Sequence, residues 1–555
     1  MPSPLFKTKT GTAPAELTDA AKDLFRAIYQ YQNQPVKGGK KDDDDNSPKI
    51  KVNEIISKMS FFYEKIRNAV DYKDEHLLRK NAIERILRRL HLMGHNEPED
   101  IAKMLLIELI RAAYLQNNSV SEAKITEVAV ILERFAKLRR LLLTAGKKSR
   151  QETDEIKRWI LNLSATDIEE HLGDHRVDQV IGQHMFDIIN TNIIDDGQDA
   201  DFTRDKKIQI YLNIFNKLFK YDDAMLEFLL FRYVNSSWQK ANDADIAVIS
   251  QHYHELREMT RQEFAHPFRK QVGRLTGRYT IYFSVLRDTI SENPEGAYDK
   301  LKNNPVQFKK VIEKVCERRY KESRGRLRRG AVRSIIYLLL TKSILVFVLE
   351  VPVILFFDEE LRYLSLAINV LFPPTLLFLI VLFTSVPGRE NTVKIQEGVE
   401  EIVFNQSLND RTTKLRYPTT RTAAANIIFS FLYAVTFLIS FGLVIWGLVS
   451  LQFNIVSILI FLLFLSFVSF FGIRLSRFAR AYSVIESREN VFSFFANFFY
   501  VPIVGTGKWL TETFSQINVF IFILDFIIES PFKIFVEIFE KWSAYVKERK
   551  DEVVD

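Results

Sequence analysis

Residues 422–473 read TAAANIIFSFLYAVTFLISFGLVIWGLVSLQFNIVSILIFLLFLSFVSFFGI, 52 positions without one charged side chain. A bilayer core about 30 Å thick is crossed by about 20 apolar helical residues, so this stretch is too long for one span and long enough for two. The polar Gln452-Phe453-Asn454 divides it into helices near 423–451 and 455–473. Buried helices of a soluble protein are excluded by length and charge depletion, since globular helices run about 8 to 20 residues and keep a polar face.

Two further spans lie upstream. Ser334 to Phe357 is interrupted only by Lys342 and Glu350, and Tyr363 to Val386 carries no charge and a Pro373-Pro374 pair expected to kink it. Downstream, Val491 to Val504 is a short apolar piece containing Pro502, which fits a re-entrant or interfacial segment. In Ile517 to Trp542 the charges Asp525, Glu529, Lys533, Glu537 and Lys541 recur every four residues, the pattern of an amphipathic helix in the headgroup plane. In a six-span alternative both of these late segments cross, with their charges facing protein or water.

Lys and Arg in short loops are retained on the cytoplasmic side. The formal charge of +7 is concentrated in one place. Residues 1–300 hold 46 basic and 46 acidic side chains, 301–333 hold 12 against 3, and the remainder 18 against 20. The end before the first span is therefore inside. Asp358-Glu359-Glu360-Leu361-Arg362 is short and acidic, as expected outside, whereas the 387–421 loop carries Arg389, Lys394, Arg411, Lys414, Arg416 and Arg421. Arg474, Arg477 and Arg480 follow the fourth span. Every alternate loop agrees, so both termini are expected in the cytoplasm. The N-terminus lacks the apolar stretch of a secretory signal.

Apolar residues from about 15 to 330 recur at helical spacing, as in Ile55, Met59, Phe62 and Ile66, or in Ile101, Leu105, Ile107, Leu109 and Ile110 behind Asn96-Glu97-Pro98. Further helices are expected over Ser121 to Leu143, Lys206 to Tyr221 and Ala244 to Phe264. The fold class is thus all-α: a helical cytoplasmic region, a polytopic α-helical membrane domain with four transmembrane helices, and a C-terminal amphipathic helix. Residues 1–47 form an N-terminal segment ending in the low-complexity linker VKGGKKDDDDNSP. Helical subdomains follow at 48–150 and 151–308, separated where a basic surplus turns acidic. A basic juxtamembrane helix occupies 309–333, the four-helix transmembrane domain 334–473, and cytoplasmic-face interfacial and amphipathic helices 474–555.

Cys316 is the only cysteine, which excludes an intrachain disulfide and a cysteine-rich zinc site. His171 and His175 stand one helical turn apart with His184 nine residues on, a spacing open to zinc or iron, but the metalloprotease pattern needs Glu after the first His and Leu172 stands there. His171, His175 and His184 are the metal candidates, and no metal is expected. Glu263 and His266 have di-iron spacing without the second copy that chemistry needs. Gly505-Thr506-Gly507-Lys508 lacks the first glycine and the following Ser or Thr of a phosphate loop, with Pro502 and Trp509 in their places. No catalytic group and no cofactor are expected.

One intramembrane pair stands out. Glu350 lies seven residues from the outer end of the first span and Asn369 six residues into the second, so both fall about 10 Å below the outer surface. They are expected to meet, either as a functional carboxylate with its partner or as interhelical glue. Lys342 is expected to snorkel toward the cytoplasmic interface. The cluster Arg318, Arg319, Arg324, Arg326, Arg328, Arg329 and Arg333 is expected to meet anionic lipid headgroups, worth about 1 kcal/mol per residue, in preference to nucleic acid. The resulting expectation is an integral membrane scaffold or adaptor whose helical cytoplasmic region binds protein partners, without enzymatic activity. A homo-oligomer is compatible with it. The alternative is a transporter or channel component using Glu350.

Overall fold

The structure, a computed structural model, describes residues 17–33, 48–68, 75–92, 97–146, 148–173, 175–194, 200–356, 362–404, 413–417, 422–485, 491–516 and isolated positions between 535 and 549. The chain divides into two compact units, Met1–Asn303 with Glu400–Tyr417 and Ile528–Asp555, and Asn304–Val399 with Pro418–Ile527. The C-terminal amphipathic stretch, 517–542, falls almost wholly outside the described residues.

The first unit is built from α1 (Asp19–Asn33), α2 (Glu54–Asn68), α3 (Glu75–Leu92), α4 (Pro98–Arg111), α5 (Ala123–Thr144), α6 (Arg150–Leu172), α7 (Arg176–Asn192), α8 (Ala200–Lys217), α9 (Asp223–Val234), α10 (Asp243–Gln251), α11 (Tyr253–Ala265), α12 (Phe268–Glu292) and α13 (Pro294–Asn303). Local chemistry sets several starts. Pro98 opens α4, Ser149 accepts from the Glu152 N–H at 3.1 Å, Asp222 from Met225 at 2.9 Å, and Asn242 and Asp245 form a reciprocal capping box. One apolar core runs from Ile50 to Leu256 and takes in Leu105, Phe135, Leu163 and Trp238. The charge reversal near 150 therefore falls between α5 and α6, two helices that share this core. Ala244 to Phe264 is not one helix: it breaks at His252, which caps α10 and leads into α11. Phe62 of α2 is largely exposed.

The segment Glu400–Tyr417, which in sequence lies between the second and third apolar helices, is folded into this unit. Tyr279 donates to Glu401 at 2.8 Å, and the Thr18 N–H donates to the Val403 carbonyl at 3.1 Å. A two-residue strand β1 (Ile193–Ile194) pairs in parallel with β2 (Thr413–Lys414), and the Gln271 amide brackets the backbone of Arg416. Outside this short pairing and one isolated bridge, Lys49 to Ser121, the regular structure among the described residues is helical.

The second unit holds α14 (Pro305–Leu345), a π-helical turn over Val346–Glu350, α15 (Val351–Phe356), α16 (Tyr363–Leu382), the start of α17 (Arg389–Phe404), α18 (Ala423–Ser450), α19 (Ile455–Ala479) and α20 (Val491–Gln516). Among the described residues four helices are long and apolar enough to cross a membrane: the continuous Pro305–Phe356, Tyr363–Leu382, Ala423–Ser450 and Ile455–Ala479. Only 11 to 39 % of their apolar windows is buried within the fold. Uncovered apolar surface on that scale is costly in water and is what a bilayer covers. The sequence division at Gln452-Phe453-Asn454 is where α18 ends and α19 begins; Gln452 takes a positive φ of 60° and Asn454 caps α19 by accepting from the Ser457 N–H at 2.7 Å.

The late apolar segment differs from its expected form. It is not a 14-residue piece but part of a 26-residue helix, α20, that continues through Pro502. Residues 500–507 of α20 meet the middle of its neighbours: Tyr500 donates to the Ser469 carbonyl at 3.2 Å, Gly505 faces Tyr433, and Gly507 lies against the Ser466 carbonyl and Phe470. The absent side chains at Gly505 and Gly507 make that approach possible.

Candidate functional site

Apolar spans leave few places for polar side chains, and in the second unit these converge. Glu350 closes the π-helical turn in the first span and is fully buried. From α16, the fully buried Asn369 directs its Nδ2 at both Glu350 oxygens, 2.8 Å from each. From the first turn of α19, the Ser457 hydroxyl donates to Glu350 Oε1. Two donor groups from two other helices make three hydrogen bonds to this one carboxyl group and tie three helices together.

Lys342 departs from the expected snorkelling. Its side chain is fully buried, with Nζ 4.2 Å from the centroid of the Phe464 ring and no hydrogen-bond partner among the described residues. It lies within electrostatic reach of Glu350. The helix phase explains why snorkelling fails: the side chain sits on the face that α14 turns toward α19, so its stem follows the bundle interior rather than the lipid surface. Asn369 Oδ1 and Ser466 Oγ are likewise buried without partners among the described residues.

The sequence brings out Glu350 and Asn369, and the structure brings them together. It gives no signal for Ser457, which reads as an ordinary polar residue near a helix start, nor for the burial of Lys342. The π-helical turn is also silent in the sequence, since Val346-Phe347-Val348-Leu349 is uniformly apolar. Asn391 is another residue missed: its Nδ2 donates to Tyr320 Oη at 2.8 Å and to the Tyr482 carbonyl at 2.7 Å, while its Oδ1 accepts from the Val484 N–H at 2.7 Å.

The arginine cluster lies on α14 as a solvent-facing stripe. Arg318, Arg324, Arg326, Arg328, Arg329 and Arg333 are exposed and Arg319 is half-buried, while Phe308, Ile312, Val315, Tyr320, Leu327 and Ala331 form the buried stripe.

The histidines do not share a helical face. Gly173 terminates α6, so His171 ends one helix and His175 caps the next. His171 pairs with Glu127 at 2.6 Å, and His175 faces Glu169 and Asp178 at 3.7 and 3.8 Å. The Asp178 carboxylate, with help from Glu169, pushes the His175 imidazole up from its usual range. His184 is buried against Phe283, and burial pushes its imidazole down to about 4. Among the described residues no group of three His, Cys, Asp or Glu side chains is placed to hold a metal ion.

Compared with known proteins, the chain matches no family, no curated protein and no solved structure.

Proposed function

We propose that this chain is a multi-pass integral membrane scaffold or adaptor, with both termini and the helical first unit in the cytoplasm and a protein partner bound by that unit. The observation that carries the reading is the place of Glu400–Tyr417. A segment flanked by apolar helices hydrogen-bonds into the soluble core through Glu401, Val403 and Arg416, so it is an integral part of the first unit. The first unit is thus joined to the membrane chain at an internal segment as well as at its own end. The parity it requires, an even number of crossings between 303 and 400, supports the first two spans. The basic residues flanking α14 support the cytoplasmic side.

The test is capture of partners by the full chain from native membranes in mild detergent. A defined protein recovered in fixed proportion, and retained by E350Q, supports the scaffold. Absence of any partner, together with ion or solute movement lost on E350Q, would sink it.

A second reading, movement of an ion or solute through the bundle, is favoured by one observation: Lys342 is fully buried within a span and without a hydrogen-bond partner among the described residues. Intramembrane charges cost several kcal/mol, by roughly 2.5–3.5 kcal/mol on insertion scales, and mark ion or proton pathways.

A further inference from the structure

Lys342 and Glu350 are eight residues apart in one helix. At about 100° per residue a regular α-helix would place them about 80° apart around its axis. The π-helical turn at Val346–Glu350 alters that phase. Closing i→i+5 hydrogen bonds, it accommodates an extra residue and rotates Glu350 back toward the face of Lys342. Both side chains are accordingly fully buried, although Phe347, Val348 and Leu349 between them are exposed on the outer surface of the bundle. Along the axis the two positions differ by about 12 Å, Lys342 in the inner half of the span and Glu350 in the outer half.

We propose that Lys342 and Glu350 form an intramembrane proton relay, with Lys342 as donor on the inner side and Glu350 as acceptor on the outer side. The inference rests on the second reading above, not on the scaffold. In the transfer, an N–H bond of the Lys342 ammonium breaks and leaves its electron pair on nitrogen. A chain of waters takes that proton at the Lys342 end and gives up another to a Glu350 oxygen at the other, each water passing on one proton as it receives one. The products are a neutral amine and a neutral acid. Glu350 then releases its proton to the outer side, and Lys342 is reprotonated from the inner side, so no redox partner is involved.

Two features make the neutral pair accessible. Lys342 has no hydrogen-bonded anion to hold its charge, and a charge without such a partner is penalised in a low-dielectric interior. The neighbouring helices also bring no competing charge to this level. Facing Glu350 are Asn369 of α16 and Ser457 of α19, and facing Lys342 is Phe464 of α19, all uncharged, while the cations of α19, Arg474 and Arg477, lie near its far end. The unpartnered oxygens Asn369 Oδ1 and Ser466 Oγ are available to order water within the bundle.

The test uses the full chain in liposomes holding a pH-sensitive dye, with the potential clamped by valinomycin and potassium, after an external pH jump. Wild type is expected to dissipate the gradient at least tenfold faster than protein-free vesicles, with K342M and E350Q each returning to that background and E350D retaining part of the flux. Wild-type flux at background, or flux unchanged in both variants, overturns the relay. S343A, at the half-buried neighbour of Lys342, is the folding control; where E350Q is not monodisperse K342M decides, and where K342M is not, E350Q against E350D decides. Dyes sensitive to sodium and chloride separate the two levels: movement of those ions without proton flux overturns the relay but leaves the second reading standing.

Discussion

Asn369 holds the carboxylate of Glu350 by a single amide nitrogen that donates to both oxygens at 2.8 Å. Removing it in N369L leaves a buried carboxylate with only the Ser457 hydroxyl. If Glu350 carries its charge, the cost is about 3 kcal/mol, the range for stranding one member of a buried charged network. If Glu350 served only as neutral glue, the loss would stay near ~0.6 kcal/mol, the average for an interhelical hydrogen bond. We expect the larger value in a denaturant titration of the detergent-solubilised chain, and a loss below about 1 kcal/mol when N369L is made in the E350Q background. Equal losses in the two backgrounds would contradict an ionised Glu350.

His184 predicts an acid limit to the stability of the first unit. Its folded-state pKa of about 4 lies below the ordinary 6.5 because burial disfavours the imidazolium. The unfolded chain therefore binds the proton more readily, and stability held above pH 6.5 is lost as the pH falls toward 4. The 2.5-unit difference corresponds to about 3 kcal/mol. His175 runs the other way. Its raised pKa contributes stability below pH 6.5 that fades as pH rises through the folded value. Thermal melts of the full chain between pH 7 and pH 4 are expected to show a steeper decline in wild type than in H184Q, and an unchanged slope in H184Q would remove His184 as the cause.

These residues also show what a sequence can and cannot disclose. Gln452-Phe453-Asn454 was legible because polar groups interrupt an apolar run, and a polar triplet there has few places to sit other than a turn; Asn454 indeed caps α19. The meeting of Glu350 and Asn369 follows from counting residues inward from one shared loop. The burial of Lys342 was not legible because snorkelling is decided by which face of α14 meets α19, a matter of packing between segments over a hundred residues apart. The break at His252 was hidden for a related reason: apolar spacing continues across it without Gly or Pro. Ser457 owes its role to Glu350, on a helix more than a hundred residues earlier in the chain, a distance over which local pattern carries no information.

Gly507 controls how α20 seats. A Cβ built there would overlap the Ser466 carbonyl and stand 2.9 Å from Phe470 Cβ, whereas one at Gly505 would meet only the Tyr433 hydroxyl at 3.2 Å. Backbone cannot yield as the far end of a side chain can. G507A is therefore expected to cost more than G505A, by about 1–3 kcal/mol as for other overpacked sites, read as a lower midpoint in denaturant for the detergent-solubilised chain. Equal, small effects at the two glycines would mean that α20 is not held against α19.

The same contacts bear on where α20 runs. Tyr500 reaches Ser469, and Gly507 lies near Ser466 and Phe470, positions well inside α19 and so at membrane depth rather than at its surface. A helix of 26 residues is about 39 Å long, enough to continue from that depth to the far side. Lys508 and Glu512, paired at 3.7 Å, follow Gly507 on the last turns of this helix. Single cysteines in a C316S background decide the matter with a membrane-impermeant maleimide. Q452C, at the α18–α19 turn, is expected to label only from outside, and K414C, in the segment bound to the first unit, only from inside. E512C is expected to label from outside, which makes α20 a fifth crossing. Labelling of E512C from inside, with Q452C still outside, would instead put α20 back at the cytoplasmic face and keep the number of crossings at four.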